Sequence, residues 1–212
     1  MVVVAVGDSL VNADRSWAHW LSRAMGEPLQ RVSMDGSLST DVVRDQLPLL
    51  AGHEYAVACL TVGTNDVLFE WDAEAFADNL ATIVDATTAS AERVVVQTIS
   101  LGLASFPGSA TEFRRRVRQA NSVIHGCGAL VLAADDLRGP RHLIADRIHP
   151  SLAGQLVLAD RAAEVLGVTP PPSSLYDGPL EVERSAYYLI AANEVPRRIV
   201  KRALGRQIYR LP

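Results

Sequence analysis

Val2-Val3-Val4-Ala5-Val6-Gly7-Asp8-Ser9-Leu10 is the stretch on which the fold turns. Its first five residues are an unbroken, mostly β-branched apolar run. Such a run suits a strand of a parallel sheet that is covered on both faces. The run stops at a glycine followed by two small polar residues, the punctuation expected where a strand gives way to a turn. In an open parallel sheet, ligands bind beyond the carboxyl ends of the strands. Gly7-Asp8-Ser9-Leu10 therefore directs attention to the residues just past the end of every other strand.

Working outward, the same alternation recurs. Ser16–Met25 places Trp17, Trp20, Leu21 and Ala24 at helical spacing, closed by Gly26 and Pro28. Leu29–Met34 reads as a second strand and Asp41–Leu50 as a short helix. Tyr55–Val62 is a third strand, and Ala73–Ala89 a helix with Phe76, Leu80, Ile83 and Val84 on one face. Arg93–Ile99 is a fourth strand. Glu112–His125 is a helix with a basic face (Arg114, Arg115, Arg116, Arg118), read as solvated. Ala129–Ala133 is a fifth strand, and Leu152–Leu166 a helix capped by Gly167. Strands alternating with helices predict a parallel sheet with helices on both faces. The expected fold class is α/β: a three-layer α/β/α sandwich with a five-stranded parallel sheet of the flavodoxin-like kind. Residues 1–168 form the expected domain and 169–179 a Pro-rich linker. Residues 180–212 form a basic amphipathic helical tail, with seven bases against three acids.

Composition narrows the function classes. The chain has 212 residues, enough for one domain with a full core. Its formal net charge is −4, from 24 acids and 20 bases, which gives no electrostatic reason to expect nucleic acid. Cys59 and Cys127 do not make a disulfide framework. No apolar stretch is long enough to span a bilayer, and the N-terminal run lacks the flanks of a signal peptide. A cytoplasmic location is the expectation. No metal or cofactor is expected, since Asp66 and the Asp135-Asp136 pair read as loop-capping residues. In the tail, residues 195–211 place Ile199, Val200, Ala203, Leu204 and Ile208 on one face. Docking on the domain or on a second subunit is favoured over a membrane surface.

Four polar clusters fall after predicted strands: Gly7-Asp8-Ser9-Leu10, Asp35-Gly36-Ser37, Gly63-Thr64-Asn65-Asp66 and Asp146-Arg147-Ile148-His149-Pro150. Taken singly they are ambiguous, because Ser9 suits a helix cap and Asn65 a turn. Together they supply what acyl transfer needs. A serine hydroxyl requires a base, and imidazole titrates near neutral pH. The imidazole requires a carboxylate to hold its tautomer, and Asp146 lies three residues before His149. A developing oxyanion requires preorganised donors, which the Ser9 and Gly36 backbones and the Asn65 amide can supply.

These blocks resemble the SGNH hydrolase superfamily, also called GDSL esterases and lipases. Gly7-Asp8-Ser9-Leu10 is similar to its nucleophile block. Gly36, Asn65 and His149 fall in the order of the glycine, asparagine and histidine in the family name. Asp146–Pro150, with Gly154, is similar to its last block. The likeness spans roughly residues 2–166. It implies a metal-free serine esterase acting on esters or thioesters with small to medium acyl groups. Ser9, His149 and Asp146 would be catalytic, and Ser9, Gly36 and Asn65 would form the oxyanion hole. An acyltransferase using the same acyl-enzyme, or a non-catalytic binding protein, are the alternatives. The expected partner is a small ester or thioester, and an oligomer is compatible with the sequence. The apolar residues Leu10, Val67, Leu68, Phe69, Leu103 and Phe106 are the expected acyl-binding wall.

Overall fold

The computed structural model describes residues 1–102 and 110–180. Residues 181–212 of the tail and the candidate wall residues Leu103 and Phe106 lie outside the described residues.

Five parallel strands form one sheet in the order β2-β1-β3-β4-β5. They are β1 (Val3–Gly7), β2 (Leu29–Arg31), β3 (Tyr55–Thr61), β4 (Ala91–Gln97) and β5 (Leu130–Leu132). All pairings are parallel, with Val3 opposite Val57 and Gly7 opposite Thr61 in the central pair. The reason the strands read as continuous apolar runs is visible in the packing. Successive residues point to opposite faces, and both faces are covered. Val3, Ala5, Val57, Cys59 and Val95 join one core cluster, with Trp17, Leu21, Leu158 and Ala162. Val4, Val6, Ala58, Leu60, Val94 and Val96 join the other, with Phe76, Leu80, Ile83, Val117 and Ile124. The first cluster is covered by α2 (Trp17–Met25) and α8 (Leu152–Leu166). The second is covered by α5 (Ala73–Thr88) and α6 (Ala110–His125). This is the three-layer α/β sandwich expected from the sequence.

Three short helices escape the sequence reading: α1 (Ser9–Asn12), α4 (Thr64–Phe69) and α7 (Gly139–His142). Each is too short for a periodic apolar stripe to register. The helix expected over 41–50 is irregular. It begins as α3 (Ser39–Asp41), widens into a π turn over Val42–Gln46 and ends as a 3-10 turn over Leu47–Leu50. β2 is shorter than expected, yet its continuation stays on the sheet edge. Val32 and Ser33 N–H donate to the Ala5 carbonyl, and Met34 N–H donates to that of Gly7. Beyond Gly167, which caps α8 in the left-handed conformation, the chain folds back. A 3-10 turn over Pro172–Leu175 packs on α8, Ser173 N–H donates to Asp160 at 2.8 Å, and Tyr176 meets Trp20 edge-on.

The chain runs from β1 out to β2 and then back across β1 to β3. A crevice opens at such a reversal, between the carboxyl ends of the two strands. Ser9 follows β1 and Asn65 follows β3, so both lie at its mouth.

Candidate active site

The turn after β1 is fixed by backbone geometry. Gly7 has φ +124°, and a Cβ there would lie 1.9 Å from the Thr61 carbonyl oxygen. Only glycine fits this position. Asp8 N–H then donates to Thr61 O at 3.0 Å, and Asp8 caps α1, its Oδ1 accepting Leu10 N–H at 3.0 Å. The cap role open to Ser9 in the sequence thus belongs to Asp8. Ser9 is the first residue of α1, and first-turn N–H groups have no acceptor within a helix.

The other half of the cluster sits on a closed loop between α7 and α8. Leu143 bridges to Pro150, Ile144 N–H donates to His149 O at 2.9 Å, and Arg147 N–H donates to Ile144 O at 2.9 Å. Arg147 has φ +60°, a conformation uncommon for a residue with a side chain. The three-residue spacing follows from this loop. Asp146 Oδ1 accepts the N–H groups of Ile148 (2.9 Å) and His149 (3.0 Å), leaving Oδ2 to accept the His149 ring Nδ1–H at 2.7 Å. The opposite ring nitrogen, Nε2, lies 2.8 Å from Ser9 Oγ. Nδ1 beside a carboxylate holds the proton, so Nε2 is the lone-pair side facing the hydroxyl. Ser9, His149 and Asp146 are therefore joined in one hydrogen-bonded line across 140 residues of sequence.

Burial drives the Asp146 carboxyl upward. The hydrogen bond and charge of His149, with the two backbone donors, outweigh it and hold the group below its ordinary value. It therefore stays ionised beside the ring. Asp8 behaves oppositely. Burial raises it to about 7, against the hydrogen bond from Leu10 and the field of His149. Asp66 is also pushed up by burial, although it accepts Ser39 N–H at 3.1 Å and Ser39 Oγ–H at 2.6 Å. It anchors α3, and Asp136 pairs with Arg161 at 2.7 Å. No group of three or more potential metal ligands occurs among the described residues.

Gly36 and Asn65 are brought to the same edge through intermediates. Asn12, at the end of the helix that carries Ser9, donates to Asp35 Oδ1 at 2.9 Å and accepts from Ser33 Oγ at 3.1 Å. The Gly36 loop is thereby tied to α1. Asn65 is 4% exposed, and its Nδ2 donates to Ser37 O at 3.0 Å. An amide nitrogen carries two hydrogens, so this bond orients the group while leaving one hydrogen to use.

A small pocket beside Leu10, Ile148 and Pro150 is also lined by Thr64, Ile99 and Leu137. Of the expected wall, Leu10 takes part. Val67 is buried in the second core cluster and does not line this pocket. Leu68 and Phe69 are half-buried on α4. On α6, Arg115 and Arg116 pair with Glu112 on their own helix at 2.7 and 2.9 Å.

Two residues of this neighbourhood have no place in the sequence reading. Gln155 on α8 is buried; its Oε1 accepts Trp17 N–H at 2.7 Å and its Nε2 donates to Leu10 O at 3.3 Å. It braces α1 against the helix that follows His149. Gln46 braces the other side through Gly7 and Ser37. The available signal was a glutamine set among residues of a helix's apolar face.

Among known families, the model described as GDSL-like Lipase/Acylhydrolase matches residues 5–157. No curated protein matches the sequence. The structure is similar to a member of the lipolytic protein G-D-S-L family from Veillonella parvula, with a TM-score of 0.60 and 16% identity, covering 79% of this chain and 98% of that one. It is similar to an acetylxylan esterase from Geobacillus stearothermophilus, with a TM-score of 0.58 and 16% identity, covering 78% and 93%. It is also similar to an alpha/beta hydrolase enzyme from the metagenome of Lake Arreo, Spain, with a TM-score of 0.59 and 18% identity, covering 78% and 94%.

Proposed function

Since the chain belongs to the GDSL-like lipase/acylhydrolase family, we propose that it is a serine esterase that hydrolyses carboxylic esters or thioesters with small to medium acyl groups. The observation that carries this reading is the Ser9–His149–Asp146 line, at 2.8 and 2.7 Å. In the first half-reaction, Ser9 Oγ attacks the acyl carbon while His149 Nε2 takes the hydroxyl proton. Asp146 stabilises the imidazolium and keeps the ring oriented. The carbonyl oxygen becomes an oxyanion, received by the N–H groups of Ser9 and Gly36 and the Asn65 amide. His149 then gives its proton to the departing alkoxide or thiolate, leaving an acyl ester on Ser9. In the second half-reaction, water loses a proton to His149 and attacks that ester. Collapse releases the acid and returns the proton to Ser9.

The test is steady-state hydrolysis of p-nitrophenyl acetate, butyrate and octanoate by the wild type and Ser9→Ala. Loss of the nucleophile is expected to lower kcat by several orders of magnitude. Equal rates in the two proteins would remove Ser9 from the mechanism.

A further inference from the structure

Gln46 is a buried polar side chain beside the turn that carries the nucleophile, and the reaction scheme gives it no part. Gln46 ends the π turn Val42–Gln46 and is 0% exposed. Its Oε1 accepts Gly7 N–H at 2.8 Å. Its Nε2 donates to the Gly7 carbonyl at 2.8 Å and to Ser37 Oγ at 3.1 Å. Gly7 needs these bonds. On one side it pairs with β3, but β2 ends at Arg31, opposite Ala5. The Gly7 carbonyl on that side still accepts Met34 N–H at 3.0 Å, but its N–H would otherwise lack a partner, and an unpaired buried backbone group is costly. The Gln46 amide has the donor and acceptor of a peptide group: it supplies the acceptor that the Gly7 N–H lacks and adds a second donor to the Gly7 carbonyl.

The same amide reaches the other half of the site. Ser37 follows Gly36, and its carbonyl accepts the Asn65 amide at 3.0 Å. One side chain thus joins the backbone two residues before Ser9 to the segment bearing Gly36 and, through Ser37, to Asn65. π turns are uncommon and recur at functional sites; here the turn carries this amide. We infer that Gln46 is a positioning residue, setting the spacing between the Ser9 backbone and the Gly36 and Asn65 donors. This role rests on the esterase reading above.

The test uses the full chain at 25 °C with p-nitrophenyl butyrate, measuring kcat and KM from pH 5.5 to 8.5 for the wild type, Gln46→Met and Gln46→Glu. Folding is checked by circular dichroism and thermal unfolding. Methionine keeps the length and removes both polar atoms. A displacement of about 1 Å in a catalytic constellation costs about 10²-fold, so kcat is expected to fall roughly 10- to 100-fold with KM within about threefold. The glutamate variant separates positioning from packing. A protonated carboxyl can accept from Gly7 N–H and donate to the Gly7 carbonyl, while a carboxylate can only accept. Its kcat, taken as a ratio to wild type, is therefore expected to rise as pH falls. Asp8 beside Gly7, Asp66 on Ser39 and His149 are common to both proteins, so the ratio isolates the introduced carboxyl. A folded Gln46→Met with wild-type kcat, or a glutamate ratio flat with pH, overturns the inference while the esterase reading stands. The glutamate ratio decides alone if the methionine variant fails to fold. A wild type inactive on every ester overturns both.

Discussion

At the scale of single residues, the site sets two carboxylates to opposite tasks. Asp146 is kept ionised by the donors around it, and Asp8, one residue before Ser9, is pushed by burial to about 7. For Asp8 the sign is the reverse of the usual carboxylate case. The folded state binds its proton more tightly than the unfolded chain does, so stability falls as pH rises from about 4 to about 7. Asp8→Asn removes that dependence. Its melting temperature relative to wild type is expected to improve by roughly 5–10 °C between pH 4.5 and 8. A pH-independent difference would show that Asp8 is ionised throughout. Asn65→Ala, assayed on the same ester, is expected to lose about 10²–10³ in kcat if its amide receives the oxyanion. A loss below threefold would take it out of that role. Ser9, Gly36 and Asn65 stood out in the sequence because each belongs to a short polar block soon after a strand, and Asp146 and His149 because a carboxylate lies three residues before a histidine. Gln46 and Gln155 did not, because their partners lie 39, 138 and 145 residues away. A lone glutamine in a helical pattern carries no trace of such partners.

At the scale of elements, the strands were legible because burial on both faces leaves a run with few other uses, as in Val3–Gly7 and Tyr55–Thr61. Their ends were less so. Val32 to Met34 keep bonding to β1 in irregular register, and that register depends on tertiary contacts rather than on hydrophobic pattern. The π turn was missed for a related reason, since Val42–Gln46 has ordinary helical composition. The start of α8 matters most for the site, because it carries the His149 loop. Ser151 Oγ accepts Gly154 N–H at 3.2 Å and donates to the Arg141 carbonyl at 2.6 Å. A Cβ on Gly154 would lie 2.1 Å from His142 O, so α7 and α8 meet backbone to backbone. Ser151→Ala removes the cap and one bond to α7. It is expected to cost about 1–2 kcal/mol, lowering the melting temperature by roughly 2–8 °C. An unchanged melting temperature would show the cap to be replaced by solvent.

At the scale of the whole molecule, strand order does the assembling. The reversal between β1 and β3 puts the ends of two adjacent strands at one crevice, and α8 returns the last block to the same edge. Fold and location were therefore readable together. Substrate was not, since the small pocket beside the site is contributed by five separated segments. The apolar side chains of Leu10, Ile99, Leu137 and Ile148 predict that two added methylenes are bound. At about 0.8 kcal/mol each, kcat/KM for p-nitrophenyl butyrate is expected to exceed that for acetate by roughly tenfold. A preference for acetate would contradict the pocket assignment. The central claim is that Ser9 is a nucleophile made reactive by His149, and covalent capture tests it most directly. A fluorophosphonate reacts with an activated serine and stays attached. Intact-protein and peptide mass spectrometry should find one adduct per chain, on the peptide containing Ser9. It should form far more slowly in His149→Ala, with Asp146→Asn intermediate. An unlabelled wild type, or an adduct on any other residue, would contradict the account.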